Sequence, residues 1–265
     1  MSLFSGRKWQ LDTQAYLNTC NISAALPRQQ IRDFAKGVDD LGLWDSMVCW
    51  PLRSGQNYGS GPTAFSLGGL GTFNGTLVGG PTWTTGGVTT DIDTTYIRHE
   101  AGRDFGTGQF TFGACFKQQS FGTAAFVVGL YPSAATAAAY DMGCGATGLI
   151  DVLLRNPSSV GGTSRVTAGQ MTADTFGFAI ATRSDNTLVS TLNGNTTGTS
   201  STLAAGVNFN RTDIQSVILG REATSNLARN LVTQSFAFII KGQAIAASSF
   251  YTIYKETLGQ GLGLP

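Results

Sequence analysis

The sequence has few charged residues, and their signs nearly cancel. Charged residues make up 12% of the 265 positions, and the formal net charge is +1. A chain with so little net charge has no field that would attract nucleic acid or an anionic membrane. A net charge near zero also favours association between molecules. We therefore expect no nucleic-acid partner, and we expect a subunit of a larger assembly.

Long hydrophobic runs are absent as well. The most apolar window, Phe236–Ile240, is followed at once by Lys241 and Gly242. A membrane-spanning helix needs about 20 predominantly apolar residues. Near the start of the chain, Arg7 and Lys8 are not followed by the apolar core of a signal peptide. The sequence thus predicts neither membrane insertion nor a secretory signal.

Acidic residues arranged for glycoside hydrolysis are scarce. That reaction needs two carboxyl groups placed across the scissile bond. The chain has three glutamates, none with an acidic residue two positions away: Glu100, Glu222 and Glu256. Asp91 and Asp93 have the spacing of a strand face, but they lie close to Gly86-Gly87 and are interpreted as a loop. We expect no glycosidase activity.

Motifs for nucleophilic catalysis and phosphate binding are also missing. His99 is the single histidine, and no G-x-S-x-G elbow accompanies it. We interpret it as a surface or hydrogen-bonded strand histidine. The glycine-rich segment Leu67–Gly71 lacks the Lys-Ser/Thr of a phosphate loop, so we interpret it as a turn region. The sequence therefore predicts that the protein is not an enzyme.

The four cysteines do not come in the close pairs of a zinc site. A disulfide between Cys20 and Cys49, or one between Cys115 and Cys144, is left open by the sequence. Buried free thiols that pack as small apolar groups are the favoured interpretation.

Glycine and alternating apolar residues are abundant. The chain contains 35 glycines, which are spread along its length. Apolar side chains alternate with small or polar ones along Phe110–Phe116, a period of two that is typical of a strand with one buried face. The same period recurs at Phe176–Ile180 and at Phe236–Ile240. These segments predict several strands of an all-β protein.

Turn signals separate the predicted strands. Ser184–Asn186 stands between two strand-like segments, and Asn193-Gly194 follows the second of them. An Asn-Gly pair is typical of a two-residue β-hairpin turn, and Asn74-Gly75 gives the same signal earlier in the chain. Consecutive hairpins of this kind predict an antiparallel meander in a sandwich or barrel.

Helical patterns occur at both ends of the chain. Apolar residues at three- and four-residue steps predict a helix over 27–41, with Pro27 in its first turn and Gly42 at its end. A second helical stripe includes Phe250 and Tyr254, with Ser248 or Ser249 as helix starters. We expect an N-terminal extension, residues 1–45, with one helix that serves as a docking segment. Residues 46–265 are expected to form a β-sandwich that ends in a short helix and an apolar tail.

Three short motifs carry a resemblance to a known fold family. Trp50–Leu52, Phe73–Leu77 and Phe105–Ala114 together resemble the concanavalin A-like, laminin-G-type jelly roll over about residues 46–242. The order of helix, sandwich and the closing segment Tyr251–Gly259 looks like the lectin-like proteins carried on tailed bacteriophage particles. The resemblance implies an all-β, concanavalin A-like antiparallel β-sandwich with a short N-terminal helix and a C-terminal helix.

The same resemblance implies a place in a virion. We expect a structural protein of a bacteriophage, either a head decoration or a tail component, that uses the sandwich as a protein–protein module. Its partners would be other virion proteins and further copies of itself as a homo-oligomer. The alternative is a glycan-binding phage adhesin that recognises the host surface.

Candidate site residues follow from these two hypotheses. A sugar site calls for exposed aromatic rings flanked by amides, and the candidates are Trp83, Tyr131 and Tyr140. Jelly-roll proteins of this kind sometimes bind calcium, which prefers several oxygen ligands. The carboxylates that could supply them are Asp91, Asp93, Asp151 and Asp185, although turn formation is the simpler role for scattered aspartates. No other cofactor is expected.

Overall fold

The structure, a computed structural model, describes most of the chain. The described residues are 7–90, 95–99, 101, 108–121, 125–130, 139–155, 163–200, 216–218 and 232–265. They form two β-sheets that lie face to face, with α-helices packed on the outer face of one of them. The predicted all-β antiparallel sandwich with helices at both ends is confirmed.

The sheet that carries the helices is called sheet A. In spatial order its strands are β14 (Asn195–Ser200), β13 (Thr187–Leu192), β12 (Gly177–Ser184), β7 (Phe110–Gln118), β16 (Val232–Lys241), β5 (Val88–Thr90) and β4 (Thr82–Trp83). A further strand, β1 (Met47–Pro51), pairs with the second half of β16. All these pairings are antiparallel.

The second sheet is called sheet B, and its pairings are antiparallel too. In spatial order its strands are β11 (Thr163–Gln170), β10 (Leu149–Arg155), β9 (Ala139–Cys144), β8 (Ala125–Leu130), β15 (Ser216–Ile218), β6 (Tyr96–His99), β3 (Gly75–Val78) and β2 (Thr63–Ala64). The apolar side chains between the two sheets form an inner core that includes Trp50, Phe112 and Val152.

A second core lies between sheet A and the helices. Phe178, Phe236 and Phe238 point to this outer face of sheet A and are fully buried there. The sequence predicted one buried face for the strands now seen as β7, β12 and β16, but nearly every residue of these strands is buried. The helical layer is the reason, because it removes the outer face of sheet A from water as well.

Three α-helices make up this layer: α1 (Lys8–Thr19), α2 (Ala25–Asp40) and α3 (Ala247–Glu256). The helix predicted over 27–41 is confirmed as α2, which begins two residues earlier and buries Ile31, Phe34 and Val38. None of the described helices is both long enough and apolar enough to cross a membrane.

Helix α1 corrects the expectation of one helix in the N-terminal extension. It buries Thr13, Tyr16 and Leu17 while Leu11 stays exposed, so its sequence has a weak apolar stripe. The buried Tyr16 hydroxyl donates a hydrogen bond to the Gln56 carbonyl (2.7 Å). Tertiary contacts rather than a periodic pattern therefore stabilise this helix, which is why the pattern did not predict it.

The C-terminal helix is confirmed, with a different start from the one predicted. It begins at Ala247 with Ala246 at the N-cap, so Ser248 and Ser249 lie in its first turn. Phe250 and Tyr254 are fully buried against sheet A. The Tyr254 hydroxyl also forms a hydrogen bond with the Ser235 hydroxyl (2.9 Å).

The two Asn-Gly pairs have different roles in the structure. Asn193-Gly194 is the turn between β13 and β14, with both residues at positive φ, as predicted. Asn74-Gly75 is not a hairpin turn, because Gly75 is the first residue of β3 and pairs with Ala64. A Cβ atom on Gly75 would lie 2.4 Å from Ile97 Cγ2. Gly75 is needed because β3 packs closely against β6. The Asn-Gly pair therefore has the sequence pattern of a turn without forming one.

Replacement of Phe34 by alanine tests whether the helical layer is part of the folded unit. The Phe34 ring packs edge-on against Phe236 (5.5 Å between centroids) and Phe250 (6.0 Å), so it joins α2, sheet A and α3. We expect Phe34→Ala to lower the free energy of unfolding by about 3–5 kcal/mol in chemical denaturation. Leu11→Ala, at a side chain 61% exposed, should change it by no more than about 0.5 kcal/mol. Similar small changes in both variants would contradict this account.

Candidate functional site

Three adjoining hollows form one groove beside the helical layer. Their volumes are about 470, 440 and 410 Å³, and they share lining residues, so we treat them as a single site. The walls come from the start of α2, the loop after β1, the β4–β5 turn, the end of β7, the start of β16, the loop before β12 and the C-terminal tail. We call it the Arg53–Phe176 groove, after two of the side chains that line it. Each hollow has the size of a small-molecule site, about 300–1,000 Å³.

Arg53 joins three of these walls. Its Nε donates a hydrogen bond to the Thr85 carbonyl (2.9 Å) in the β4–β5 turn. Its Nη1 donates to the carbonyls of Leu258 (3.1 Å) and Gln260 (2.8 Å) in the C-terminal tail. The guanidinium therefore holds the turn and the tail at a fixed separation, and it does so without a carboxylate partner among the described residues.

Side-chain amides line the floor next to Arg53. The Gln56 amide nitrogen donates to Gln30 Oε1 (3.0 Å) and to the Leu258 carbonyl (3.0 Å). Gln30 in turn donates to Gln260 Oε1 (3.2 Å). These bonds fix the amides, and they link α2, the loop after β1 and the tail. A ligand with hydroxyl groups would meet donors and acceptors that are already in place.

The opposite end of the groove carries a partly exposed aromatic ring. Phe176 lies in the loop before β12, and the Lys117 ammonium is 5.6 Å from its ring centroid. Lys117 also forms an ion pair with Asp174 (2.6 Å). A Cβ atom on Gly86 would be in ordinary contact with the ring, 3.5 Å from Phe176 Cζ. Glycine at position 86 thus leaves the edge of the ring open to the groove.

A smaller hollow of about 290 Å³ lies between α1 and the segment 65–74. Its cation, Lys8, is already paired with Asp45 (2.6 Å) and donates to the Gly69 carbonyl (2.6 Å). The Trp44 indole donates to Asp12 Oδ2 at the same place (2.9 Å). Because its charged groups are satisfied within the chain, this hollow is a weaker candidate than the Arg53–Phe176 groove.

Of the predicted sugar-site aromatics, two fall in the described part of the chain and neither lines the groove. Trp83 packs against the inner core, and its indole donates to the Gly61 carbonyl (3.1 Å). Tyr140 is 1% exposed and packs against Phe112 (5.0 Å between centroids), so it offers no exposed platform. Tyr131 lies outside the described residues. The structure does not bring these three rings together.

The predicted calcium ligands are not gathered in the described part of the chain. Asp151 lies in β10 of sheet B, whereas Asp185 is in the β12–β13 turn at φ +49°. The Asp185 carbonyl accepts a hydrogen bond from Arg183 Nε (2.9 Å), as expected of a turn residue. Asp91 and Asp93 lie outside the described residues. Within the described ranges no cluster of three or more His, Cys, Asp or Glu residues is placed to hold a metal ion, so the calcium site stays a prediction.

His99 is buried, which corrects the expectation of a surface or hydrogen-bonded histidine. It lies in β6 with its ring 4.3 Å from the ring of Trp50 across the inner core. Neither ring nitrogen has a hydrogen-bond partner in the described part of the chain. Burial lowers the pKa of His99 to about 3, so the ring stays neutral at physiological pH. It is out of reach of any ligand in the groove.

The cysteines are buried free thiols, as the favoured interpretation had it. Burial raises the pKa of Cys20 to about 12 and that of Cys115 to about 11. The thiolate is the nucleophilic form, so these groups are inert near neutral pH.

Sequence patterns did not reveal the groove. Phe176 belongs to an alternating apolar segment, and its position just before Gly177 and β12 is the one signal that could mark it as a loop residue. Arg53 and Gln56 follow the Pro-stopped strand β1, but nothing in their spacing indicates a site. Their roles depend on contacts with segments about 200 residues away in the sequence.

Comparison with protein-family models gives no match, and neither does comparison with curated protein sequences. Solved structures do match. One is a structure of botulinum neurotoxin type C, described for its interaction with two ganglioside molecules. Its TM-score is 0.59 at 8% identity, and the match covers 82% of this chain and 52% of the toxin chain. The binding domain of botulinum neurotoxin DC in complex with SialylT has a TM-score of 0.57 at 6% identity, covering 80% of this chain and 51% of its own.

The binding domain of botulinum neurotoxin serotype D gives a TM-score of 0.59 at 8% identity. At such identities the likeness shows a shared β-sandwich fold. The chain spans about half the length of each of these structures. What the toxin domains bind is therefore a property of longer chains.

The acid dependence of stability tests the environment of His99. Its pKa is lower in the folded state than in the unfolded chain, where it is about 6.5. Below that pH the unfolded chain binds a proton that the folded state does not, so stability falls as the pH is lowered through about 6.5. Between pH 7.5 and pH 5 this residue should remove about 2 kcal/mol from the free energy of unfolding.

The matched variant is His99→Leu, measured by urea denaturation at both pH values. Because the chain has a single histidine, the variant should lose less stability than the wild-type protein over this interval. Equal losses in the two proteins would show that the ring is protonated in the folded state.

Proposed function

We propose that the chain is a carbohydrate-binding β-sandwich module and that a saccharide occupies the Arg53–Phe176 groove. The observation that carries this proposal is the combination of an open aromatic ring, Phe176, with fixed amide and guanidinium groups in one groove. The C–H face of a sugar packs on an aromatic ring, while its hydroxyl groups need donors and acceptors held in place. The groove offers both.

The structural neighbours support the class of ligand. One is described for its interaction with two ganglioside molecules, one is a complex with SialylT, and others are named as binding domains. This support is general, because the chain spans about half of each neighbour and shares few residues with it. The groove residues are identified from the geometry of this chain and not from the neighbours.

We further propose that the module is carried on a bacteriophage particle, as a head decoration or a tail component. The support is the sequence resemblance and the exposure of two leucines outside the groove, Leu11 on α1 and Leu41 at the end of α2. The apolar faces of α2 and α3 are buried on the chain's own sheet, so docking to other virion proteins or to further copies would use the outward side of this layer. On this proposal the protein binds other virion proteins through its helical layer and a saccharide through its groove.

Replacement of Phe176 tests the saccharide site. We expect Phe176→Ala to weaken binding about tenfold or more, because the loss of an aromatic contact costs about 1.4 kcal/mol. The measurement is a glycan array, run with calcium and with EDTA, followed by titration calorimetry with the strongest ligand. Tyr58→Ala is the control, since Tyr58 is 51% exposed but does not line the groove. Unchanged affinity in Phe176→Ala, or an equal loss in Tyr58→Ala, would place the site elsewhere.

Electron microscopy tests the particle location. Gold-labelled antibodies against the protein should bind the head surface or the tail of purified phage particles that encode the chain. A protein found in the unassembled fraction and missing from purified particles would contradict the virion role, while the carbohydrate-binding proposal would stand.

A further inference from the structure

No carboxylate of the described chain forms an ion pair with Arg53, although Asp174 lines one of the hollows that Arg53 also lines. The other hollow at Arg53, about 470 Å³, is lined by one cation and by no carboxylate. All the groups that Arg53 contacts are backbone carbonyls, which orient the guanidinium but leave its charge in place. The cation at the other end, Lys117, is paired with Asp174. The charge in this half of the groove is therefore available to a ligand.

The free donors of Arg53 are also accessible. Its Nε and Nη1 are used within the chain, whereas Nη2 has no hydrogen-bond partner among the described residues and is not a buried atom. Next to it, the Gln56 amide is oriented by its bonds to Gln30 and Leu258, which use its nitrogen and leave Oε1 without a partner in the described chain. A charged donor thus stands beside a neutral acceptor in one hollow.

This pair of groups matches an acidic sugar. An anionic substituent accepts from the Arg53 guanidinium, and a neighbouring hydroxyl donates to Gln56 Oε1. A neutral sugar would leave the half-buried cation without a counter-charge, whereas an acidic one supplies it. Hydrogen bonds to a charged group contribute more than those between neutral groups, so the anionic substituent decides selectivity.

We infer that the Arg53–Phe176 groove selects saccharides that carry an anionic substituent, a carboxylate or a sulfate, which binds to Arg53. The inference rests on the proposed function, because it names the class of saccharide that the same groove takes. Phe176 would hold the sugar next to the acidic one, and Asp174 would keep Lys117 from competing for the anion.

Two kinds of probe separate this inference from general sugar binding. An array carries uronic-acid and sialic-acid glycans with their methyl esters, and sulfated glycans with their desulfated counterparts. We expect the wild-type protein to bind an acidic glycan about tenfold or more tightly than its neutral counterpart. The series that binds identifies the substituent as a carboxylate or a sulfate.

A pair of variants at Thr85 changes charge with little change in shape. Thr85 is exposed in the β4–β5 turn and lines the hollow, and Arg53 contacts only its backbone carbonyl. Thr85→Glu places a competing carboxylate there and should bind the acidic glycan about tenfold or more weakly than Thr85→Gln, which has nearly the same shape without the charge. Arg53→Gln should lose the preference for acid over ester, and Arg32→Gln, which removes an exposed cation outside the groove, should keep it.

Each outcome has a separate meaning. Equal binding of acidic and neutral glycans, or equal effects of Thr85→Glu and Thr85→Gln, would overturn the inference and leave the proposed function in place. If no glycan of either kind binds, the proposed function fails and the inference fails with it. Melting temperatures of all variants within a few degrees of wild type would show that the losses come from the site.

Discussion

The aromatic layer on the outer face of sheet A is the constraint on which the rest of the structure depends. Phe178, Phe236 and Phe238 lie side by side there, with centroid separations of 5.8–6.1 Å. Exposing such rings to water costs about 1.5–3 kcal/mol each. Phe250 and Tyr254 of α3 close over them, at 4.4 Å from Phe238 and 4.6 Å from Phe178. The helices are thus part of the folded unit, and the groove exists because α2, the loops of the sheet and the tail are held against one another by this layer.

Local patterns predicted the parts of the fold that depend on local interactions. The hairpin at Asn193-Gly194 and the amphipathic helix α2 each have their cause within a few neighbouring residues, so the sequence was sufficient to predict them. Helix α1 and the second buried face of sheet A were not predictable in this way, because both depend on contacts between segments distant in sequence. The hairpin turn predicted at Asn74-Gly75 is wrong, because a glycine required by the neighbouring strand looks in sequence like a glycine required by a turn.

The candidate site was less predictable than the fold for the same reason. Residue type alone points to Tyr140 as a sugar-binding aromatic, but the inner core buries this side chain. The groove is assembled from segments that are far apart in the sequence, and the residues that define it, Arg53 and Phe176, have no distinguishing spacing. The toxin domains share this fold at 6–8% identity, so the fold alone does not determine which residues line a groove.

The hydrogen bonds from Arg53 and Gln56 to the C-terminal tail couple two properties of the molecule. One wall of the groove is the segment that follows α3, and its carbonyls at Leu258 and Gln260 are held by the side chains that face the ligand. Under the proposed function, binding in the groove and docking of the tail would be linked equilibria, and each would change the other by the same free energy. A ligand would protect the tail from proteases, and a mechanical load on the tail would loosen the ligand. Such a module would respond to force as well as to chemistry.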